Sequence, residues 1–461
     1  MEDRLPSPRP AAPHRPGRRW YSALLALLLA LAPAGAFAQA QMFPGDGGTV
    51  GRGNELPGSP VTAWTLAADR LGSGGPNFRT RAIMHLAMHD ALNAAEPRFA
   101  RWARPVQGEP APGGASPRIA MAAAAYQVLI ARHPEKAAVE ADSIYRAAIA
   151  SEPPGPGVQA GIRLGNAIAR ARLAAYPNPT TTPEPFPGAF GVGQWRPTPP
   201  DNLSAFMPRE RPFLQDAASI VPNPPNPVGS PRYLGDLEEV RIIGGSESRI
   251  RTDDMADAAS FWAYHSVQRG YADLIIRLLA EYPMDLHGEA RAMAVFSVAM
   301  ADSVMVAWDA KRRFSSWRPV TAINLGSPGV PRDASWTPFL ATPPHPEHPS
   351  GHASDCSAGA TAIVGVFGRD LGPIEYVGVG APGNRWRRFG RVSQTATECA
   401  SSRLWAGAHF PTANNEGLRL GAEVARRALA TMQPLPGRGG PAVTTGPAPG
   451  VRRVVDTPAG R

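Results

Sequence analysis

Lysine is almost missing from this chain of 461 residues: of its 47 basic residues only Lys136 and Lys311 are lysines, and every other cation is an arginine. That scarcity gives each lysine more weight as a candidate for a specific task. Cysteine is nearly as scarce, with Cys356 and Cys399 alone, so at most one disulfide can form. Aromatic residues do not interleave with the cations, and the net charge of +9 is spread along the chain. This argues against a nucleic-acid surface and suits a small anionic ligand better. Alternating apolar and polar stretches, the mark of a half-buried strand, are also lacking, which leaves a helical fold as the simplest class.

The N-terminus holds Arg15, Arg18 and Arg19, an apolar run from Ala23 to Ala32, and Ala36-Phe37-Ala38 before Gln39. This is the arrangement of an export signal, and residues 1–38 are read as a cleaved signal peptide. The competing reading, an uncleaved anchor, meets an apolar run about half the roughly 20 residues that a span needs. No later stretch is expected to be long enough to cross a bilayer. A periplasmic or secreted location follows, and there a Cys356–Cys399 disulfide is permitted.

Residues 39–60, rich in Gly and Pro, read as an exposed arm. From there to about 175, apolar residues recur at three- and four-residue spacing over 63–71, 79–95, 119–131, 137–150 and 158–174. Residues 176–235 are proline-heavy and are expected to form a long crossover that wraps the surface without regular helix. Helical spacing returns at 256–282, 286–316, after Ser350, at 393–406 and at 415–432. The expected fold is all-α: two packed helix bundles in one continuous domain over 61–432, with the C-terminal bundle at 256–432 and a disordered tail over 433–461.

Three clusters carry chemistry. The first is Lys311-Arg312-Arg313-Phe314-Ser315-Ser316-Trp317-Arg318-Pro319. A separation of seven returns to nearly the same helical face, so Lys311 and Arg318 are expected to aim at one point while Pro319 stops the helix; a solvated basic helix end is the bland alternative. The second is His345-Pro346-Glu347-His348-Pro349-Ser350-Gly351-His352. Ser350 can cap the helix that follows, and Gly351 lets a backbone amide approach an anion at that helix N-terminus, with His352 one turn inside. A proline-bounded loop with a capping serine is also an ordinary structural feature. The third is Ser402-Arg403-Leu404-Trp405-Ala406-Gly407-Ala408-His409-Phe410-Pro411, where Gly407 and Pro411 suggest a helix end that folds His409 back toward Arg403. Together the clusters gather one lysine, two arginines, a serine hydroxyl, a glycine amide and two histidines, a donor set suited to a tetrahedral trianion.

In order and spacing, Lys311-x6-Arg318-Pro319, Pro349-Ser350-Gly351-His352 and Ser402-Arg403-x5-His409 resemble the three-part signature of the vanadium haloperoxidase and type-2 phosphatidic acid phosphatase superfamily. Ala301-Asp302-Ser303, Trp308-Asp309-Ala310-Lys311, Trp317 to Ile323, Arg81 to His85 and Asp90 to Ala94 are similar to its bacterial haloperoxidase branch, so the likeness covers most of residues 60–430. The resemblance implies that Lys311, Arg318, Ser350, Gly351 and Arg403 hold the oxygens of vanadate, or of phosphate in the same site. It implies His409 as the axial vanadium ligand and His352 as the acid–base residue. Hydrogen peroxide and halide would be substrates, hypohalous acid equivalents the product, and a small organic molecule the acceptor, with a homodimer as one candidate assembly. His345 stands where bromide-preferring relatives tend to carry histidine, which points to bromide; an exposed loop histidine is the alternative.

One position departs from the pattern. Many relatives carry an aspartate four residues after the last histidine, and here that residue is Ala413. The departure weakens the rival reading of a secreted acid phosphatase with His409 as nucleophile and His352 as proton donor, unless an acid from another segment substitutes. A non-catalytic oxyanion-binding protein is the third class. His85 and His89 have a zinc-compatible helical spacing but no evident third ligand, and structural packing is the competing account. Cys356 lies one turn after His352 and Cys399 one turn before Arg403; if an oxyanion brings those helices together, a disulfide there would brace the pocket.

Overall fold

The computed structural model describes residues 59–71, 78–105, 109–178, 184–198, 206–207, 210–379 and 385–438. The expected signal peptide, nearly all of the arm, and the tail from 439 onward lie outside the described residues. Among the described residues the fold is helical, with two small two-stranded sheets.

The N-terminal half comprises α1 (Pro60–Leu71), α2 (Phe78–Ala95), α3 (Pro117–Arg132), α4 (Pro134–Glu140), α5 (Asp142–Ala150) and α6 (Pro156–Ala175). The C-terminal half comprises α7 (Pro231–Ile243), α8 (Asp253–Tyr264), α9 (Val267–Glu281), α10 (Leu286–Phe314), α11 (Pro319–Leu325), α12 (Gly351–Phe367), α13 (Val392–Trp405) and α14 (Pro411–Thr431). Serine, threonine or aspartate caps several of these: Ser116, Ser230, Thr252, Ser266, Asp285 and Ser350 each accept from a backbone amide in the first turn. Such caps satisfy one of the four orphan donors at a helix start.

Helix α10 joins the halves. It packs against α2 on one side and against α12 and α14 on the other, so a single apolar core runs through both bundles. At 29 residues it is long and apolar enough to cross a membrane by length and composition, contrary to the sequence expectation, and its apolar window is wholly buried inside the protein. A helix that is apolar all round is what a bundle centre requires.

Three further expectations need correction. The proline-rich crossover does not merely wrap the surface: Trp195, Phe213, Leu214 and Ile220 insert into the core. The buried Asp302 of α10 anchors it by accepting from the amides of Phe213 (2.8 Å) and Leu214 (2.7 Å). A helix also begins inside the expected crossover at Pro231, whose missing N–H costs nothing at a first helical position. The tail expected from 433 starts instead with backbone pairing, Ala100 N to Gln433 O at 2.8 Å and Leu435 N to Arg98 O at 2.9 Å.

The strands escaped notice because they are short and one is cationic. Glu184–Pro185 (β1) pairs with Phe206–Met207 (β2), and Ile374–Gly378 (β3) pairs antiparallel with Arg385–Phe389 (β4). In β4, Arg387 bridges Asp254, Asp257 and Glu398, so ion pairs to neighbouring helices replace the apolar alternation usually read as strand.

Helices α12 and α14 approach most closely where α14 carries glycine. A Cβ on Gly417 would stand 2.4 Å from the carbonyl oxygen of Ser350, and one on Gly421 would stand 2.0 Å from that of Ser354. The start of α12 is therefore set by the absence of side chain on α14. Gly417→Ala should destabilise the protein by about 1–3 kcal/mol through overpacking. Urea unfolding measures this, and a change within about 0.5 kcal/mol of zero, the usual surface value, would show that the two helices separate freely.

Candidate active site

Lys311 lies in the last turn of α10, but Arg318 does not reach it by continuing that helix. Ser315 takes a left-handed conformation (φ 42°) and ends α10, and Arg318 becomes the N-cap of α11, with Pro319 starting that helix. The crossover fixes the connecting strand: Trp195 N donates to Ser315 O (2.7 Å) and Trp317 N to Gly193 O (2.9 Å). The shared helical face expected from a spacing of seven is thus replaced by a break and a backbone bridge.

The loop from Pro343 to Ser350 closes over both cations. The Lys311 ammonium donates to the carbonyls of Pro346 (2.7 Å), Glu347 (3.0 Å) and Pro349 (2.5 Å). Arg318 Nε donates to His345 O (2.9 Å), Nη1 to Ala408 O (2.7 Å), and Nη2 to Pro343 O (3.2 Å) and His345 Nδ1 (3.0 Å). His345 is buried, with its ring 4.8 Å from that of Trp308, so it is not an exposed loop histidine.

The third segment folds back on itself. After α13 ends, Gly407 adopts φ +75°, and the amides of Ala408 and His409 both donate to Arg403 O, at 3.0 and 3.3 Å. A Cβ at Gly407 would meet Gly244 O at 2.3 Å, so both conformation and space demand glycine there. His409 Nε2 comes to 3.0 Å from Arg318 Nη1. Ser350 is fully buried; its amide donates to Ala413 O (2.9 Å) and its hydroxyl oxygen accepts from Ala353 N (3.4 Å). Gly351, the first residue of α12, sits against Lys311, since a Cβ there would be 3.9 Å from Lys311 Cε. Cys356 and Cys399 form a disulfide that ties α12 to α13, joining the helices of His352 and Arg403.

Electrostatics follow from burying three cations together. Burial, and then the charge of Arg318, pushes Lys311 well below its ordinary pKa. Burial lowers Arg318 to about 9 and Arg403 to about 10. The histidines respond likewise: burial first, then Arg403 for His352 and Arg318 for His409, holds both well below the usual imidazole value. Both rings are therefore neutral at neutral pH.

Glu347 was not singled out from the sequence. It is buried, and its Oε1 accepts from Phe410 N at 2.9 Å and lies 3.1 Å from His409 Nδ1. Burial raises its carboxyl to about 7 against the lowering field of Arg318. Its lone acidic side chain in a proline-bounded loop beside two histidines was the available signal. His85 and His89 take structural roles: His85 bonds Thr65 (2.9 Å) and Ser297 (2.7 Å), and His89 bonds Ala100 O (3.0 Å). Among the described residues no cluster of three potential ligands could hold a metal cation.

Against three cations the pocket sets few carboxylates. Lys311 and Arg318 already direct their donors at carbonyls and histidines, whereas Nε and Nη1 of the buried Arg403 have no hydrogen-bond partner among the described residues. Unpaired buried donors are costly, so these atoms mark where an anion belongs. Orthophosphate or orthovanadate should raise the thermal midpoint, by the equivalent of about 2.7 kcal/mol at 100 times Kd. Arg403→Ala should weaken that binding at least about thirtyfold, roughly 2 kcal/mol. A midpoint shift undiminished in the variant would move the anion elsewhere.

Comparison with known proteins bears on the fold that holds these residues. Residues 291–437 match the family described as the VCPO second helical-bundle domain. A search of curated proteins gave no match. Among solved structures, a bacterial vanadium-dependent iodoperoxidase is similar at TM-score 0.62 and 22% identity, over 82% of this chain and 96% of that one. A bacterial vanadium-dependent chloroperoxidase is similar in its apo form (TM-score 0.54, 18% identity, 77% of this chain and 93% of that one). A holo-form bacterial vanadium-dependent chloroperoxidase is similar at TM-score 0.52 and 17% identity, over 86% and 97%. The chain thus carries the fold of the bacterial vanadium-dependent haloperoxidases, and its residues 291–437 match the model of the VCPO second helical-bundle domain.

Proposed function

We propose that this protein is a vanadate-dependent haloperoxidase that uses hydrogen peroxide to oxidise halide to a hypohalous acid equivalent. The observation that carries the reading is the buried Arg403, whose Nε and Nη1 have no partner among the described residues and whose charge, with those of Lys311 and Arg318, acts on the neutral His352 and His409. The residues present fit a tetrahedral oxyanion. Arg403 would offer Nε and Nη1, the Ser350 hydroxyl its proton, and Gly351 the first amide of α12, while Lys311 and Arg318 supply fixed positive charge. His409 would face the anion with its Nε2 lone pair. Vanadate, when bound, supplies a Lewis acid that polarises a peroxide oxygen without change of oxidation state.

His352 does the proton work. Its neutral ring would take a proton from hydrogen peroxide and return it as product leaves. Its depressed proton affinity keeps it a base at neutral pH, and an anion in the pocket would raise that affinity toward the working range. For the halide we favour bromide, on the histidine at 345 lodged between Trp308 and Arg318. The Cys356–Cys399 disulfide supports an oxidising compartment, periplasmic or extracellular.

One observation favours a second reading. Glu347 lies on His409 Nδ1 and so provides the orienting acid that a phosphatase with a nucleophilic His409 would need. Purified protein loaded with vanadate should brominate an indicator dye in the presence of peroxide, and His352→Ala should lose about 10²–10⁴ of that turnover. Hydrolysis of a chromogenic phosphate by vanadium-free protein, with no halide oxidation after loading, would establish the phosphatase instead. Chlorination as fast as bromination would remove the bromide preference alone.

A further inference from the structure

A neutral imidazole has two tautomers, and only one presents a lone pair from Nε2. At His409 the surroundings choose between them. Arg318 Nη1 is 3.0 Å from Nε2 and 3.4 Å from Nδ1, so it lies over the ring face and leaves the in-plane Nε2 lone pair unengaged; the choice falls to Nδ1. Nδ1 is 3.1 Å from Glu347 Oε1, and that oxygen is already an acceptor because the Phe410 amide, at 2.9 Å, can only donate to it. With Glu347 ionised, or carrying a proton on its other oxygen, the hydrogen between them belongs to Nδ1.

Glu347 can hold this position because its own backbone is clamped. Its amide donates to Ser316 O at 3.0 Å, and its carbonyl accepts from the Lys311 ammonium at 3.0 Å. The turn of α14 that follows His409 offers no acid: position 413 is alanine and 414 asparagine. Glu347 is the carboxylate that the described residues place on His409.

We propose that Glu347 is the positioning residue of His409, fixing the tautomer and ring orientation that turn the Nε2 lone pair toward the oxyanion. The inference rests on the oxyanion-pocket reading of this site. Partners of this kind, which hydrogen-bond the far nitrogen of a ligating histidine, typically change affinity 10–100-fold when removed.

The test uses the full-length, vanadium-free chain labelled with ¹⁵N at histidine, with His409→Gln to assign its resonances. In the unsubstituted protein His409 should show the Nδ1–H pattern; an Nε2–H pattern would refute the proposal without any variant at 347. Glu347→Met removes the acceptor, and should lower the Nδ1–H population and weaken orthovanadate binding, read by calorimetry, about 10–100-fold. Glu347→Gln keeps an oxygen facing the Phe410 amide and should retain both the tautomer and most of the affinity. Equal loss of affinity in both variants with the tautomer unmoved would assign Glu347 a charge or packing role and overturn positioning. If the unsubstituted protein binds neither orthovanadate nor orthophosphate, the proposed function fails, while the tautomer measurement still decides the role of Glu347.

Discussion

The structure depends on holding Lys311, Arg318 and Arg403 together out of water. An isolated buried charge is strongly disfavoured, and like charges in one pocket disfavour each other further. The protein offsets this with dipoles rather than counter-ions. Three carbonyls surround the Lys311 ammonium, three more and two histidine rings surround Arg318, and Glu347 contributes a carboxyl whose ionisation burial itself opposes. What this leaves unbalanced is Arg403, whose Nε and Nη1 face no partner among the described residues. Lys311 and Arg318 thus supply field, and Arg403 supplies bonds.

The same field prepares the histidines. Burial first, and then the positive potential of Arg403 at His352 and of Arg318 at His409, lowers the proton affinity of both rings, and the same potential would attract an oxyanion. A neutral ring can face an oxyanion with a lone pair or accept a proton, whereas a protonated one can do neither. Binding of an anion would relax this field locally and restore basicity at the rings. Halide oxidation and phosphoryl transfer would both suit this one arrangement, because both place negative charge on equatorial oxygens beside a histidine.

Much of this was legible in the sequence, but the route of convergence was not. The three clusters, the helix start at Ser350 and the turn at Gly407 are local features, written in capping and turn chemistry. The link from Lys311 to Arg318 looked like one helical face and is instead a left-handed break at Ser315 held by residues 193–195, a long-range pairing that no periodicity encodes. Glu347 was visible in the motif loop, yet only the fold shows that it stands against His409. The β3–β4 hairpin was hidden because ion pairs to Asp254, Asp257 and Glu398 do the work that apolar alternation does in an ordinary strand.

The proline-rich crossover acquires its meaning from the same constraint. Its described residues supply none of the groups proposed to face the anion, yet Trp195 and Gly193 bond the segment that carries Arg318, and Asn223 O accepts from His348 in the loop above Lys311. Between these contacts it is fixed by Asp302, buried in α10 and satisfied by the amides of Phe213 and Leu214. A segment with little regular structure can be positioned only by side chains and isolated backbone bonds. Here those bonds run from α10, through the crossover, to the residues on either side of the pocket. Helix α10 consequently sets the site twice, directly through Lys311 and indirectly through the crossover that it anchors. This accounts for a helix buried along nearly its whole length: it must pack against both bundles while its last turn delivers a cation to the place where three segments meet.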